Sequence, residues 1–255
     1  MKIVVKVGSA VLTQDGTIAL SRMQALVDFL AELKKEHEVI LVSSGAVAGG
    51  YTKLQLDRQV LANKQALAAI GQPVLMQRYA KKFEKYDMVT AQVLVTAANL
   101  AREGEIQRVK NTIDTLLANG VLPIVNENDA TATDELELGD NDQLSAYIAK
   151  HTDANMLIIL SDIDAYYDKD PRKHEDAKAF KVVKSISKDE LSKDVTPNNL
   201  FATGGIVTKL KAASYLLENK IDTFLASGFD LADAKSFTLQ KQHKGGTLFT
   251  CKDEA

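Results

Sequence analysis

Two short groups of acidic and amide side chains are the clearest candidates for chemistry in this chain. Residues 126–129 read NEND and residues 139–142 read GDND. The first group follows an apolar run with Ile124 and Val125, typical of a strand buried on both faces, and the second opens a helical pattern. Carboxylates and amides bind ammonium groups, metal ions or hydroxyl groups but repel a bare phosphate. The same residues also suit an Asx turn and a helix cap, respectively.

Two lysines beside glycine-rich turns are the candidates for binding phosphate. Lys6 ends an apolar strand pattern and precedes Gly8 and Ser9, and Lys209 follows the TGGIVT segment at 203–208. Neither segment matches G-x-x-x-x-G-K-[ST], and no G-x-G-x-x-G follows the first strand. Two lysines with backbone N–H groups can stabilise a transferring phosphoryl group by positioning and charge neutralisation. Each lysine alone is more typical of a solvated turn, and their shared place at one sheet edge shifts the balance modestly toward phosphoryl transfer.

A third turn, SSGAVAGG at 43–50, follows the second buried strand and contains Ser44 and Gly45. Backbone N–H groups at the start of the next helix favour an anion or a carboxylate there. The four histidines lack metal-ligand spacing, and no G-x-S-x-G elbow supports a Ser-His-Asp hydrolase.

The composition sets the broad class of the protein. The chain has 255 residues, 45% hydrophobic and 25% charged, with a net charge of −3. Without a basic stripe, nucleic-acid binding is not expected. No apolar run reaches the ~18 residues that span a bilayer, so no membrane segment is expected. The single cysteine, Cys251, cannot form an intrachain disulfide, and a cytoplasmic location is expected.

Strand and helix patterns alternate along the whole chain, which predicts a doubly wound parallel sheet with helices on both faces. In such a sheet, ligands bind outside the carboxyl ends of the strands, where both acid-amide groups fall. No Pro/Gly-rich linker divides the chain, so we expect one domain, 1–255, with lobes at about 1–150 and 151–255. Strands are predicted at 2–7, 39–42, 87–94, 121–125, 156–160, 221–226 and 246–250, and helices at about 21–36, 58–86, 106–118, 140–149 and 203–217.

Several local features give sharper expectations. Ser21 is the expected N-cap of the first long helix, and the Gly71-Gln72-Pro73 segment predicts a break or kink in the second. Pro123 should lie near the start of its strand, because proline removes a ladder donor. Residues 130–138 suit a hairpin or flap beside the site, and residues 173–195 suit an exposed surface segment.

Together these motifs resemble the amino-acid kinase family, and within it the kinases that act on glutamate. They occur in the family's order over nearly the whole chain, and NEND followed by GDND is the part specific to the glutamate kinases. Ser161-Asp162 stands where Thr-Asp is commoner. Many members carry a further C-terminal domain resembling RNA-binding modules, which we expect to be absent here because the chain ends soon after Phe249. The matching segments are 6–9, 42–50, 64–72, 125–129, 139–142, 168–172 and 203–205 with Lys209.

The resemblance implies a three-layer αβα sandwich with a mainly parallel central sheet. It implies ATP-dependent phosphorylation of the γ-carboxylate of L-glutamate, the first step of proline synthesis, with Mg²⁺ accompanying ATP and no protein metal ligand assigned. Lys6 and Lys209 would neutralise the phosphoryl group, with Asp142 holding both lysines. The other implied roles are phosphate-binding backbone donors at Gly8 and Ser9, glutamate binding by Ser44, Asp129 and Asn141 with Gly45 and Asp140 close by, and an ATP site lined by Ser161, Asp162, Thr203, Gly204, Gly205, Ile206, Val207, Thr208 and Lys209.

The expected partners are L-glutamate and ATP, with proline as a feedback inhibitor and a homo-oligomeric state. A rival reading is another kinase of the family acting on N-acetylglutamate, aspartate or a nucleoside monophosphate, against which Asp129 and Asn141 weigh. A second rival is a catalytically silent binding module. Retention of Lys6, Lys209 and Asp142 argues against that reading.

Overall fold

One central sheet of eight strands organises the molecule. The computed structural model describes residues 1–131, 141–192 and 205–252. The strands in this part of the chain are β1 (Lys2–Val7), β2 (Thr13–Gln14), β3 (Thr17–Ile18), β4 (Glu38–Ser43), β5 (Thr90–Val95), β6 (Leu122–Glu127), β7 (Met156–Ser161), β8 (Val182–Val183), β9 (Asp222–Ser227) and β10 (Thr247–Phe249).

The order of the strands in this sheet is β5-β6-β4-β1-β7-β9-β10-β8, and β2 and β3 form a separate two-stranded hairpin. Every neighbouring pair in the large sheet is parallel except β9 and β10. The predicted mainly parallel sheet is therefore confirmed, with one antiparallel pair near an edge.

The helices cover both faces of this sheet. In the described ranges they are α1 (Ser9–Leu12), α2 (Leu20–Leu33), α3 (Ala46–Tyr51), α4 (Leu61–Phe83), α5 (Ala97–Ala101), α6 (Glu103–Ala118), α7 (Asn141–His151), α8 (Lys188–Leu191), α9 (Ile206–Glu218) and α10 (Ala232–Leu239), with a 3₁₀ turn at Glu84–Tyr86. No helix of these ranges is both long enough and apolar enough to cross a membrane.

Alternate residues of the central strands enter two separate hydrophobic cores. On β1, Ile3 and Val5 pack with residues of α2 and α4, whereas Val4 packs with residues of α6, α7 and α9. Because both faces are covered, the strands read as continuous apolar runs. This arrangement confirms the predicted three-layer αβα sandwich. Lys6 shares the face of Val4 and so points toward α7 and α9.

Of the break or kink predicted at Gly71-Gln72-Pro73, the break is wrong, because α4 continues through this segment with Pro73 inside, and the kink stays a prediction. A Cβ on Gly71 would lie 1.7 Å from the carbonyl oxygen of Ala46, and a Cβ on Gly50 would lie 1.9 Å from that of Leu67. The glycines thus allow the backbones of α3 and α4 to touch. They mark a close helix contact, not a turn.

The predicted Ser21 N-cap is also wrong. Helix α2 begins at Leu20, after Ala19, without a side-chain cap. The hairpin formed by β2 and β3 leads directly into it, and the Ala19 N–H donates to the Leu12 carbonyl at 2.8 Å. Tertiary pairing therefore fixes this helix start.

The three remaining local expectations have different outcomes. The β4–β6 ladder begins at Ile124, so Pro123 lies just outside it, near the strand's start as predicted. Residues 173–192 are mostly exposed, but they include β8 and α8, which the sequence did not suggest. Of the predicted hairpin or flap at 130–138, residues 132–138 lie outside the described residues.

The other strand predictions and the helices corresponding to α6, α7 and α9 are confirmed with shifted ends. Helix α10 was not predicted. Among its own residues it buries only Ala234 and Ser236, so its apolar period is weak.

Candidate active site

The carboxyl ends of four adjacent strands bring polar side chains together. From β6, β4, β1 and β7 come Asn126, Ser44, Lys6 and Asp162, two of them on residues immediately after a strand. After β6 the chain crosses to the opposite side of β1 to form β7. A change of direction of this kind creates the crevice in which α/β proteins bind ligands.

A buried cluster of two lysines and one aspartate lies at this edge. The Lys6 Nζ is 2.5 Å from Asp142 Oδ1, and the Lys209 Nζ is 3.1 Å from Asp142 Oδ2. The Asp142 side chain is 0% exposed and each lysine side chain is 6% exposed. The structure therefore joins three residues that are distant in sequence, and we call them the charged triad.

Local structure explains how Asp142 is held. It lies in the first turn of α7, where the helix dipole favours a carboxylate. The hydroxyl of Thr208 donates to Asp142 Oδ2 at 2.8 Å, and Lys209 also reaches the Gly205 carbonyl at 3.4 Å. Two cations share one carboxylate, so the triad has surplus positive charge in a poorly solvated place. Buried charge of this kind favours an anionic ligand.

A second set of polar groups, which we call the amide chain, runs beside the triad. Asn141 Nδ2 donates to Ser44 Oγ at 2.8 Å and to Asn126 Oδ1 at 2.9 Å. Asn126 Nδ2 donates to Gln72 Oε1 at 3.0 Å, and Gln72 Nε2 donates to Gln92 Oε1 at 3.0 Å. Four elements, α4, β5, β6 and α7, are thus joined through side-chain amides.

The sequence interpretation missed Gln72 and Gln92. Gln72 was read as part of a helix break and of the family-like segment 64–72, without a role in the site, and Gln92 as an ordinary strand residue. A glutamine on the buried face of α4 was the available signal, since a buried amide requires partners.

A cavity of about 160 Å³ adjoins the amide chain. Its lining includes Gln72, Gln92, Glu127 and the predicted Asp129. Asp129 lies in a turn after β6, in which the Thr131 N–H donates to the Asn128 carbonyl at 3.0 Å. Residues 126–129 therefore contribute to two places: Asn126 belongs to the amide chain, and Asp129 faces the cavity.

A second, larger cavity of about 390 Å³ lies next to β7 and α9. Four predicted nucleotide-site residues line it: Asp162, Gly205, Ile206 and Val207. Thr208 and Lys209 instead bond to Asp142. Ser161 is buried and its hydroxyl donates to the Asp162 carboxylate at 2.9 Å.

The sequence interpretation did not assign Tyr166, Glu190 and Leu210 to this cavity. The Tyr166 hydroxyl donates to Glu190, and burial together with the Glu190 carboxylate raises the pKa of Tyr166. Arg172 forms two 2.9 Å hydrogen bonds with Asp170, and these hold the Asp170 pKa at about 2. The wall combines apolar surface with groups of fixed charge.

The remaining predicted residues are placed as follows. The Gly8 N–H donates to the Leu160 carbonyl at 3.2 Å, so this donor is engaged within the sheet edge, and Ser9 begins α1. Gly45 precedes α3 with a φ of 108°, a left-handed conformation that favours glycine. Asp140, Thr203 and Gly204 lie outside the described residues.

The sequence of the chain is similar to those of known proteins. The model of the amino acid kinase family matches residues 1–227. The chain is 52% identical over 253 residues to glutamate 5-kinase of Wolinella succinogenes, and the match covers 97% of each protein. It is 50% identical over 248 residues to glutamate 5-kinase of Leishmania donovani, covering 97% of this chain and 94% of that protein.

Among solved structures, the crystal structure of the T. acidophilum isopentenyl phosphate kinase product complex superposes with a TM-score of 0.68. The match covers 98% of this chain and 100% of that chain at 16% sequence identity. At this identity the likeness concerns the fold alone, and it agrees with the three-layer sandwich.

Proposed function

The chain belongs to the amino acid kinase family, and from that premise we propose that it transfers the terminal phosphoryl group of ATP to the γ-carboxylate of L-glutamate. The observation that carries the proposal is the buried charged triad, with its surplus positive charge, next to a chain of neutral amides. A charged site for a phosphoryl group and a neutral polar site for an amino acid are what this reaction requires.

In the reaction, a γ-carboxylate oxygen attacks the γ-phosphorus of ATP. A new O–P bond forms, the bond from phosphorus to the β–γ bridging oxygen breaks, and ADP leaves without a proton transfer. Lys6 and Lys209 would neutralise the oxygens of the transferring group, and Asp142 keeps both ammonium groups in place. Preorganised charge of this kind stabilises the transition state without reorganisation.

Glutamate would lie between the triad and the cavity that Asp129 lines. Ser44 and Asn141 are already hydrogen-bonded to each other at 2.8 Å and would hold its main-chain groups, with Gly45 adjoining. Asp129 would pair with the α-ammonium, and Asp140 is proposed beside it. An enclosed ammonium needs such a carboxylate because its burial is otherwise costly.

The nucleotide would occupy the 390 Å³ cavity, with its phosphates directed toward the triad. Ser161, Thr203, Gly204, Gly8 and Ser9 remain proposed contributors. In the described residues no group of three or more His, Cys, Asp or Glu side chains is placed to hold a metal ion. Mg²⁺ would accompany the nucleotide, held mainly by its phosphates and by water, and when bound it would offset phosphate charge.

Other parts of the proposal rest on the resemblance or, for the location and the lobe boundaries, on the sequence. They are a place in proline synthesis, a cytoplasmic location, a homo-oligomeric state, and a glutamate lobe at about 1–150 with a nucleotide lobe at about 151–255. Proline shares the α-carboxylate and amino groups of glutamate, so we propose that it competes there. Proline should raise the apparent KM for glutamate more than it lowers the maximal rate, and inhibition that glutamate never relieves would indicate a separate site.

Trapping of the acyl phosphate as its hydroxamate tests the function. Glutamate with ATP should give hydroxamate, and N-acetylglutamate should give almost none. The acetyl derivative would leave the Asp129 charge unpaired, at a cost of ~3–5 kcal/mol or more than a hundredfold in specificity. Comparable yields from both substrates would refute the assignment. Aspartate and a nucleoside monophosphate complete the panel, and absence of turnover with every substrate would favour a silent binding module.

A further inference from the structure

We propose that Gln72 is a positioning residue for the glutamate site, acting through Asn126 on the carboxamide of Asn141. The inference rests on the proposed function, and it deepens that function by naming what sets the polarity of the substrate-binding groups. Gln72 does not face the charged triad; its contacts are Asn126 and Gln92.

Burial makes the orientation of these amides consequential. Gln72 is 7% exposed and Asn126 is 2% exposed, so neither can readily exchange its partners for water. Gln72 Oε1 accepts from Asn126 Nδ2, which leaves Asn126 Oδ1 facing Asn141. Rotating the Asn126 amide alone would set oxygen against oxygen and NH₂ against NH₂. The orientation of Gln72 is therefore transmitted to Asn141.

The resulting polarity suits an amino acid. Both N–H bonds of the Asn141 carboxamide are used, one toward Ser44 Oγ and one toward Asn126 Oδ1. Its carbonyl oxygen takes part in neither bond and can accept from an ammonium. The Ser44 oxygen accepts from Asn141, so the hydroxyl retains its hydrogen for a carboxylate. One acceptor and one donor are what the α-ammonium and α-carboxylate of glutamate need.

The opposite polarity would serve the substrate less well. If all the amides were reversed, the Ser44 hydroxyl would donate to the Asn141 carbonyl oxygen. Neither that hydrogen nor that oxygen would then be available to the substrate. Gln92, at the outer end of the amide chain, is exposed on the edge strand β5 and can bond to water. Gln72 is consequently the outermost member whose loss leaves a buried donor, Asn126 Nδ2, without a partner.

The test compares Gln72→Met with Gln77→Met in the full-length protein. Methionine keeps the length of the side chain but forms no amide hydrogen bonds, and Gln77 is an exposed glutamine on the same helix. Gln72→Met should raise the KM for glutamate about tenfold, the effect of losing one or two buried hydrogen bonds. The kcat and the KM for ATP should stay close to wild type, the melting temperature should fall by about 2–12 °C because one buried donor loses its partner, and Gln77→Met should change nothing.

The outcomes separate the inference from the proposed function. If the wild type forms no hydroxamate with glutamate, the proposed function fails and this inference falls with it. If the wild type is active and folded Gln72→Met keeps its glutamate KM, the inference alone is overturned. If kcat fell, both KM values rose and the melting temperature fell in parallel, Gln72 would have a merely structural role, and the inference would also be overturned.

A second variant keeps the inference testable should Gln72→Met fail to fold. Gln92→Lys changes an exposed residue and places a group at the outer end that can only donate to Gln72 Oε1. This would reverse the amide chain and raise the glutamate KM several-fold, whereas Gln92→Met should raise it about twofold at most. The Gln92→Lys effect should persist at high salt. An unchanged KM, or a rise abolished by salt as for a simple field effect, would overturn the inference.

Discussion

Replacing Asp142 by asparagine isolates the charged triad. The side chain keeps its size, but the two ammonium groups of Lys6 and Lys209 lose the carboxylate that lies 2.5 Å and 3.1 Å from them. The Thr208 hydroxyl, now 2.8 Å from Asp142 Oδ2, would still find an oxygen acceptor. Charge compensation is therefore the main property that changes.

The expected loss of stability follows from burial. Asp142 is 0% exposed, and removing one partner of a buried ion pair costs ~3–5 kcal/mol. The repulsion between the two ammonium groups is present in both proteins, so this cost is the lost attraction of the carboxylate for each of them. For a protein of this size the melting temperature should fall by about 6–20 °C. Turnover should fall about a hundredfold, since displaced lysines no longer match the phosphoryl group.

The chain contains a matched control. Asp114 also bridges two lysines, with Lys2 at 2.9 Å and Lys110 at 3.0 Å, but its side chain is 38% exposed. Burial raises the pKa of Asp114, and hydrogen bonds from Lys2 and Lys110 outweigh that effect and lower it. Because the folded pKa is lowered, this stabilisation is present at neutral pH and is lost in acid. Asp114→Asn should cost less than ~1 kcal/mol, as exposed pairs do, and leave turnover unchanged.

Thermal unfolding with and without a non-hydrolysable ATP analogue, together with the hydroxamate assay, decides the matter. The analogue should stabilise Asp142→Asn more than the wild type, because its phosphates take the place of the missing carboxylate. If Asp142→Asn melts and turns over like Asp114→Asn, the reasoning from buried charge is wrong. Equal stabilisation of both proteins by the analogue would contradict the proposal that phosphate binds at the triad.

Three other predictions concern single residues. Lys6→Ala and Lys209→Ala should each lower kcat about 10²–10³-fold in a folded protein, since each removes a preorganised positive charge; near-native turnover in the steady-state assay would exclude that lysine. Asp129→Asn should raise the KM for glutamate with little change in kcat, because the ammonium is distant from the reacting carboxylate; an unchanged KM would remove Asp129 from the site. Gly71→Ala would place its Cβ 1.7 Å from the Ala46 carbonyl oxygen. It should destabilise the protein by at least ~1–3 kcal/mol in denaturant titrations, and wild-type stability would show that the two helices can separate cheaply.

The sheet was predictable from the sequence because parallel strands with both faces covered carry a local signature. The apolar runs at β1, β4 and β7 arise because both faces of these strands are buried, and this pattern is what predicted the strands. The predictions that failed concerned sequence features that fit two different local structures. A glycine two residues before a proline is typical of a helix break, but Gly71 is needed where α3 and α4 touch. Only the tertiary structure distinguishes these possibilities.

Edge elements escaped prediction for another reason. The strand β8 has two residues and the helix α8 has four, so neither is long enough to establish an apolar period. Glu190 reaches the large cavity from α8 through the Tyr166 hydroxyl. Because residues 173–195 have the composition of an exposed segment, the sequence did not indicate that Glu190 lines the large cavity.

Within the site, the sequence indicated which residue types are present but not how they are connected. Gln72 and Gln92 bond to each other from α4 and β5, and nothing in their separate sequence contexts indicates that pairing. Lys6, Lys209 and the group containing Asp142 were candidates from residue types and turns, the resemblance assigned Asp142 to the two lysines, and the structure adds the distances that make them one charged group. Spacing along the chain cannot supply such distances.

The first turn of α7 explains why charged and neutral groups stand next to each other in the sequence. Asn141 belongs to the amide chain and Asp142 to the charged triad, although the two residues are adjacent. Asn126 and Ser44 hold this turn from one side, and Lys6 and Lys209 hold it from the other. The first turn of α7 thus fixes the proposed glutamate-binding groups and the proposed phosphoryl-binding charges relative to each other. For a direct transfer between two bound substrates, that fixed separation matters as much as the affinity for either one.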